Sequence, residues 1–129
     1  MQEKHIYEYA VIRFVPRVER EEFLNIGVIL FCKKKRFLEA AFTLDEKRLH
    51  SFSRSFDLQE IENNLRAMEK ICLGGREAGP IGILDIADRF RWLTATRSTI
   101  IQCSKVHPGF CVEPGKTLLK LHKQLVLEY

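Results

Sequence analysis

Ten residues, Ile6 to Val15, limit the possible folds more than any other stretch of this chain. They are dominated by β-branched and aromatic side chains and stop at Pro16, which favours a strand and then ends it. Side chains alternate across a strand. Ile6, Ala10, Ile12 and Phe14 therefore share one face, and Tyr7, Tyr9, Val11, Arg13 and Val15 share the other. Both faces are largely apolar, so both need cover, and the segment is expected inside a sheet. Arg13 is the odd residue on its face. Once buried, a guanidinium there needs a carboxylate or carbonyl partner.

The rest of the chain supplies the cover. Arg17 to Leu24 reads as a charged, partly helical connection. Gly27 is expected to open a second strand, Val28 to Cys32. Lys33-Lys34-Lys35-Arg36 then turns tightly into a third strand, Phe37 to Thr43, completing a hairpin. Thr43-x-x-Glu46 fits a capping box for a short helix to about Phe52. Asp57 with Glu60 starts a longer helix, striped by Leu58, Ile61, Leu65, Met68 and Cys72 and stopped by Gly74-Gly75. Ile83, Ile86, Ala87, Phe90 and Leu93 predict a third helix. Thr99 to Cys103 predicts another strand and Pro108-Gly109 a turn. Pro114 opens a last helix whose face is Leu118, Leu121, His122 and Leu125. Strands, then helices, then one strand and a helix make an α+β fold rather than a βαβ design. The expectation is a single domain over 1–129, with a small, mostly antiparallel sheet of about four strands packed against three main helices.

No apolar run approaches the ~18 residues of a membrane span, and the start carries no charged-then-apolar leader, so a cytoplasmic protein is expected. Cys32, Cys72, Cys103 and Cys111 are then free thiols, none in a Cys-x-x-Cys pair. The net charge of +4 invites a nucleic-acid reading. Lys33, Lys34, Lys35 and Arg36 account for the whole excess, however, and the other 17 basic residues balance 17 acidic ones. The sequence contains no Gly-rich phosphate loop, nucleophile elbow or His-Glu-x-x-His. Gly74-Gly75 lacks the Gly-Lys-Ser/Thr of a P-loop, and no cofactor is implied.

Three segments carry a family resemblance. They are Tyr7-x-Tyr9 … Arg13-x-x-Pro16 … Glu22-Phe23-x-Asn25-x-Gly27-Val28; then Phe90-x-Trp92-Leu93 … Arg97-Ser98; then His107-Pro108-Gly109, with Leu118, Leu121 and Val126 closing. In these, over nearly its whole length, the chain resembles the bacterial family catalogued as domain of unknown function 3037. The resemblance brings no activity with it. It implies a small accessory protein often encoded beside a HipA-like protein kinase, a toxin–antitoxin-like setting with a protein partner.

Three groups of residues are candidates for function. Arg13, Glu22, Asn25, Arg97, Ser98 and His107 are polar residues at the conspicuous positions of those segments. Two guanidinium forks could grip a phosphate or carboxylate, Glu22 is a ready partner for Arg13, and His107 could act as a general acid or base. The plainer reading is a structural ion pair, a turn asparagine and a loop histidine. The basic turn Lys33 to Arg36 could meet a phosphate backbone, but it serves equally to keep a hairpin tip wet, and base-stacking aromatics at recognisable spacing are missing. Cys103-x-x-x-His107-x-x-x-Cys111, with Cys72 or His122 as a fourth ligand, matches no zinc-finger spacing, and no metal is assigned. Trp92 could anchor a partner or simply pack. The leading expectation is a non-enzymatic interaction module. The alternatives are a small enzyme or nucleotide- or anion-binding protein using the Arg/Glu/His set, and a nucleic-acid binder led by the lysines.

Overall fold

A computed structural model describes residues 2–128. Strand β1 (His5–Phe14) is the centre of a five-stranded sheet in which every pairing is antiparallel. Strand β2 (Leu24–Cys32) lies along one side of it, and β3 (Phe37–Phe42) forms that edge. The other side of β1 carries two short strands: β4 (Ile101–Cys103) pairs with its end and β5 (His107–Cys111) with its beginning. Together they make one edge strand, broken at 104–106. At the break the Val11 N–H donates to Ser104 Oγ at 2.8 Å, and the Val11 carbonyl accepts from the Ser104 N–H at 2.8 Å. A serine therefore supplies what a continuous ladder would have supplied, which is why a polar side chain is buried there.

Both faces of the sheet are covered, as the apolar faces of β1 require. Helices α1 (Glu46–Phe52), α2 (Leu58–Leu73) and α3 (Ile86–Thr94) pack over Ala10, Ile12 and Phe14. Helix α4 (Pro114–His122) and a π-helical turn (Lys123–Leu127) pack over Val28, Leu30 and Cys32 on the opposite face. Helix α2 forms as its pattern predicts. The Asp57 carboxylate accepts from the N–H groups of Gln59 and Glu60, and Ile61, Leu65, Met68 and Cys72 are buried. Its far end is closed by Arg89, which donates to the carbonyls of Ile71 and Cys72, each at 2.8 Å. Gly74, in the left-handed region at φ 79°, leaves room for that guanidinium, since a Cβ there would lie 2.7 Å from Arg89 Nη1. No helix among the described residues is long and apolar enough to cross a membrane.

Several local expectations are corrected. Among the described residues the sheet has five strands and there are four α-helices. Gly27 lies inside β2, just past a bulge that offsets Ile12/Arg13 against Gly27/Asn25. The first helix is capped by Asp45, which accepts from Lys47 and Arg48, while the Thr43 hydroxyl contacts His122 Nε2 at 2.9 Å. Ile83 is exposed in a 3-10 turn ahead of α3 instead of joining its stripe. Pro108-Gly109 belongs to β5, not to a turn. Proline is tolerated on an edge strand, and Gly109 makes room for the Tyr7 ring, which would lie 2.5 Å from a Cβ at that position.

Candidate functional site

Of the six polar residues singled out in the sequence, Arg13 and Asn25 stand together and the other four are dispersed over the fold. Arg13 stacks its guanidinium on the Phe23 ring, 3.8 Å from the centroid. It stands directly opposite Asn25 on β2. Arg13 Nε and Asn25 Oδ1 are both buried, and neither has a hydrogen-bond partner among the described residues. Glu22 does not serve Arg13. It pairs with Arg20 on the exposed connection between β1 and β2. Asn25 fixes no turn: its Nδ2 donates to the Leu125 carbonyl at 3.2 Å, tying the π-turn to the sheet. Arg48 strengthens that clasp by donating to the carbonyls of Val126, at 2.8 Å, and Asn25, at 3.3 Å.

Arg97 closes the end of α3. It donates to the carbonyls of Leu93 and Trp92 and lies over the Trp92 ring, 4.1 Å from the centroid. Ser98 is exposed in the loop that follows. His107 is exposed on β5, with its ring 5.4 Å from that of Tyr9, its cross-strand partner. Arg13 shares that sheet face but is four residues further along β1, roughly 13 Å away. Arg97 belongs to the opposite, α3-bearing face. Arg89, Arg48 and Arg97 thus spend their forks on backbone carbonyls at the ends of helices and turns.

The cysteines are separated as well. Cys103 pairs with Ile12 and Cys111 with His5, so they occupy opposite faces of the sheet. Among the described residues no group of three or more His, Cys, Asp or Glu side chains is placed to hold a metal ion. Burial pushes the Cys72 thiol up to about 12. It also pushes Cys103 up to about 11, against the opposing pull of Arg97 and Arg13. Neither thiol is an activated nucleophile at neutral pH.

The structure brings together a different set. Ile6 on β1 and Phe110 on β5 are cross-strand partners on the helix-covered face, but they lie beyond the reach of the helices. They are 60% and 69% exposed, the largest apolar exposure on the sheet. They floor a groove of about 550 Å³ with Ala87 of α3 and the edge of Phe31. Phe31 is held in place by stacking on Phe90, with centroids 5.2 Å apart. Arg91 of α3 reaches down to Glu8 of β1 through a two-pronged bond of 2.8 and 2.9 Å, which fences the inner end. Lys33 and Lys34 of the hairpin tip line the outer rim together with Lys4.

The groove was missed in the sequence because its walls come from the two ends of the chain, the hairpin tip and α3. In the sequence Ile6 belongs to an apolar strand face that needs cover, and nothing in the pattern singles out Phe110. The one signal for it was the strand pattern of β1, which made Ile6 an apolar residue at the very start of a strand, where cover runs out.

The family model described as "Protein of unknown function (DUF3037)" matches residues 9–126. The chain belongs to that family. No curated protein and no solved structure matches it. The match includes Phe110, Lys33, Lys34 and Arg91 but leaves out Lys4, Ile6 and Glu8, so the family segment contains only part of the groove.

Proposed function

We propose that the chain is a non-enzymatic interaction module that docks a protein partner at the uncovered end of its sheet. The observation that carries this reading is the Ile6–Phe110 pair, two large apolar side chains left side by side in water at the mouth of a formed groove. A monomer gains nothing from that exposure, whereas an interface core is built from such residues. The positions of the arginines support the same reading, because those that could have gripped an anion are committed to carbonyls, to Phe23 or to Glu8. A HipA-like kinase, the partner implied by the family resemblance, is the first candidate to test.

The test is copurification from the native host under gentle conditions, comparing the wild-type chain with the Ile6→Ser/Phe110→Ser double variant. The expected result is a stoichiometric partner retained by the wild type and lost by the variant. A wild-type chain that purifies alone, or a partner held equally by both, would overturn the reading.

A further inference from the structure

The groove combines two properties that select its occupant. Its floor is apolar, made by Ile6, Phe110 and Ala87. Its rim is basic. Glu8 and Arg91 neutralise each other across the inner end, leaving Lys4, Lys33 and Lys34 against Glu3 alone. None of those three lysines is in an ion pair with a described residue.

The backbone adds a third property. Val11 bonds toward the β4/β5 edge with both its N–H and its carbonyl, so the odd positions of β1 point that way. Their partners in β5, which are His107, Gly109 and Cys111, point back toward β1. Pro108 and Phe110 are left facing outward, and Pro108 has no N–H to offer. The free edge therefore presents the N–H and carbonyl of Phe110 beside the groove, with a proline stop next to them.

We infer that the groove takes an extended, acidic peptide segment of a partner protein, one that carries an aromatic or aliphatic anchor. The anchor sits on Ile6 and Phe110, the flanking carboxylates face Lys33 and Lys34, and the segment's backbone bonds to Phe110 at the sheet edge. Pro108 limits that pairing to one short register, so the edge does not template long strand stacking. This inference rests on the docking reading above and adds the chemistry of the partner. A groove of about 550 Å³ suits a chain segment better than a bilayer surface. Phe110 is the one exposed aromatic among the groove's lining residues, and without a second stacking platform there it suits a peptide anchor better than a nucleic-acid strand.

A phage-displayed library of random dodecapeptides, panned on the wild-type chain, tests it. The selected peptides are then titrated by fluorescence anisotropy against the wild type, Lys33→Glu/Lys34→Glu and Ile6→Ser/Phe110→Ser. The lysines are exposed turn residues, so their reversal leaves the fold intact. The expected enrichment is for Asp or Glu flanking Leu, Ile, Phe or Trp. The lysine reversal should weaken binding about tenfold and flatten its salt dependence, and the floor variant should abolish it. Neutral or basic peptides, or binding lost only in the floor variant, would overturn the acidic assignment while leaving the docking site standing. Binding indifferent to the floor variant would overturn both. The inference also fails if no peptide is enriched, or if the wild type instead binds phosphatidylserine vesicles or a labelled oligonucleotide through Lys33 and Lys34.

Discussion

The two ends of one strand face carry opposite assignments. On β1, Phe14, Ile12 and Ala10 point toward the helices and are fully buried, while Ile6, on the same face, is 60% exposed. The residue types are alike, and what differs is the cover. At the Phe14 end, Phe52 and Phe56 pack on the ring, with centroids 6.5 and 5.6 Å away. At the Ile6 end, α3 offers only Ala87 and then Arg91, whose guanidinium turns down to Glu8. An apolar pattern in a strand thus requires cover without saying who provides it. At one end the chain covers itself, and at the other the proposed interaction leaves the cover to a partner.

The sharpest way to break this comparison is to truncate both ends. Phe14→Ala empties a fully buried site and should cost about 3–5 kcal/mol in denaturant unfolding. Phe110→Ala should stay within about 0.5 kcal/mol of the wild type, because water already reaches that side chain. Equal costs would remove the distinction between the two ends.

The next effect is at the edge strand. Ser104→Ala leaves the buried Val11 N–H without an acceptor and should cost about 1–3 kcal/mol. Ser104→Thr, which keeps the oxygen, should recover part of it. Arg89→Met, which keeps the aliphatic stem but frees the carbonyls of Ile71 and Cys72, should cost about 1–2 kcal/mol and raise amide exchange in the last turn of α2 first.

A pH series probes the thiols buried under the helices. Cys72 and Cys103 are held neutral by burial, at about 12 and about 11, above the ordinary thiol value. A folded-state pKa raised in this way contributes stability that is complete below pH ~9 and is lost as pH climbs through 11 and 12. Unfolding midpoints should therefore fall between pH 9 and 12, and a Cys72→Val/Cys103→Val variant should show a shallower fall. The same slope in both proteins would mean that these thiols are not the cause.

The sequence is legible where a local pattern decides the structure. The β1 strand, the Lys33–Arg36 hairpin, the stripe of α2 with its Asp57 cap and the Gly74 stop all follow from neighbouring residues. Misreadings arose where two local signals competed. Thr43 and Asp45 both offer a cap, and the residue adjacent to the helix takes the role. Pro108-Gly109 has turn composition, yet an edge strand needs no N–H from proline and the Tyr7 ring needs a glycine. Glu22 found Arg20 two residues away sooner than Arg13 across the sheet. The groove was illegible for a different reason: it exists only once residues more than 100 positions apart, Ile6 and Phe110, become cross-strand neighbours.

The central claim is that the Ile6–Phe110 end belongs to a partner. The most direct measurement takes one protein, Ile6→Ser/Phe110→Ser, and reads both its unfolding free energy and its retention of the copurified partner. That protein's stability should stay within about 0.5 kcal/mol of the wild type while the partner is lost. A protein destabilised by several kcal/mol, or one that still holds its partner, would contradict it.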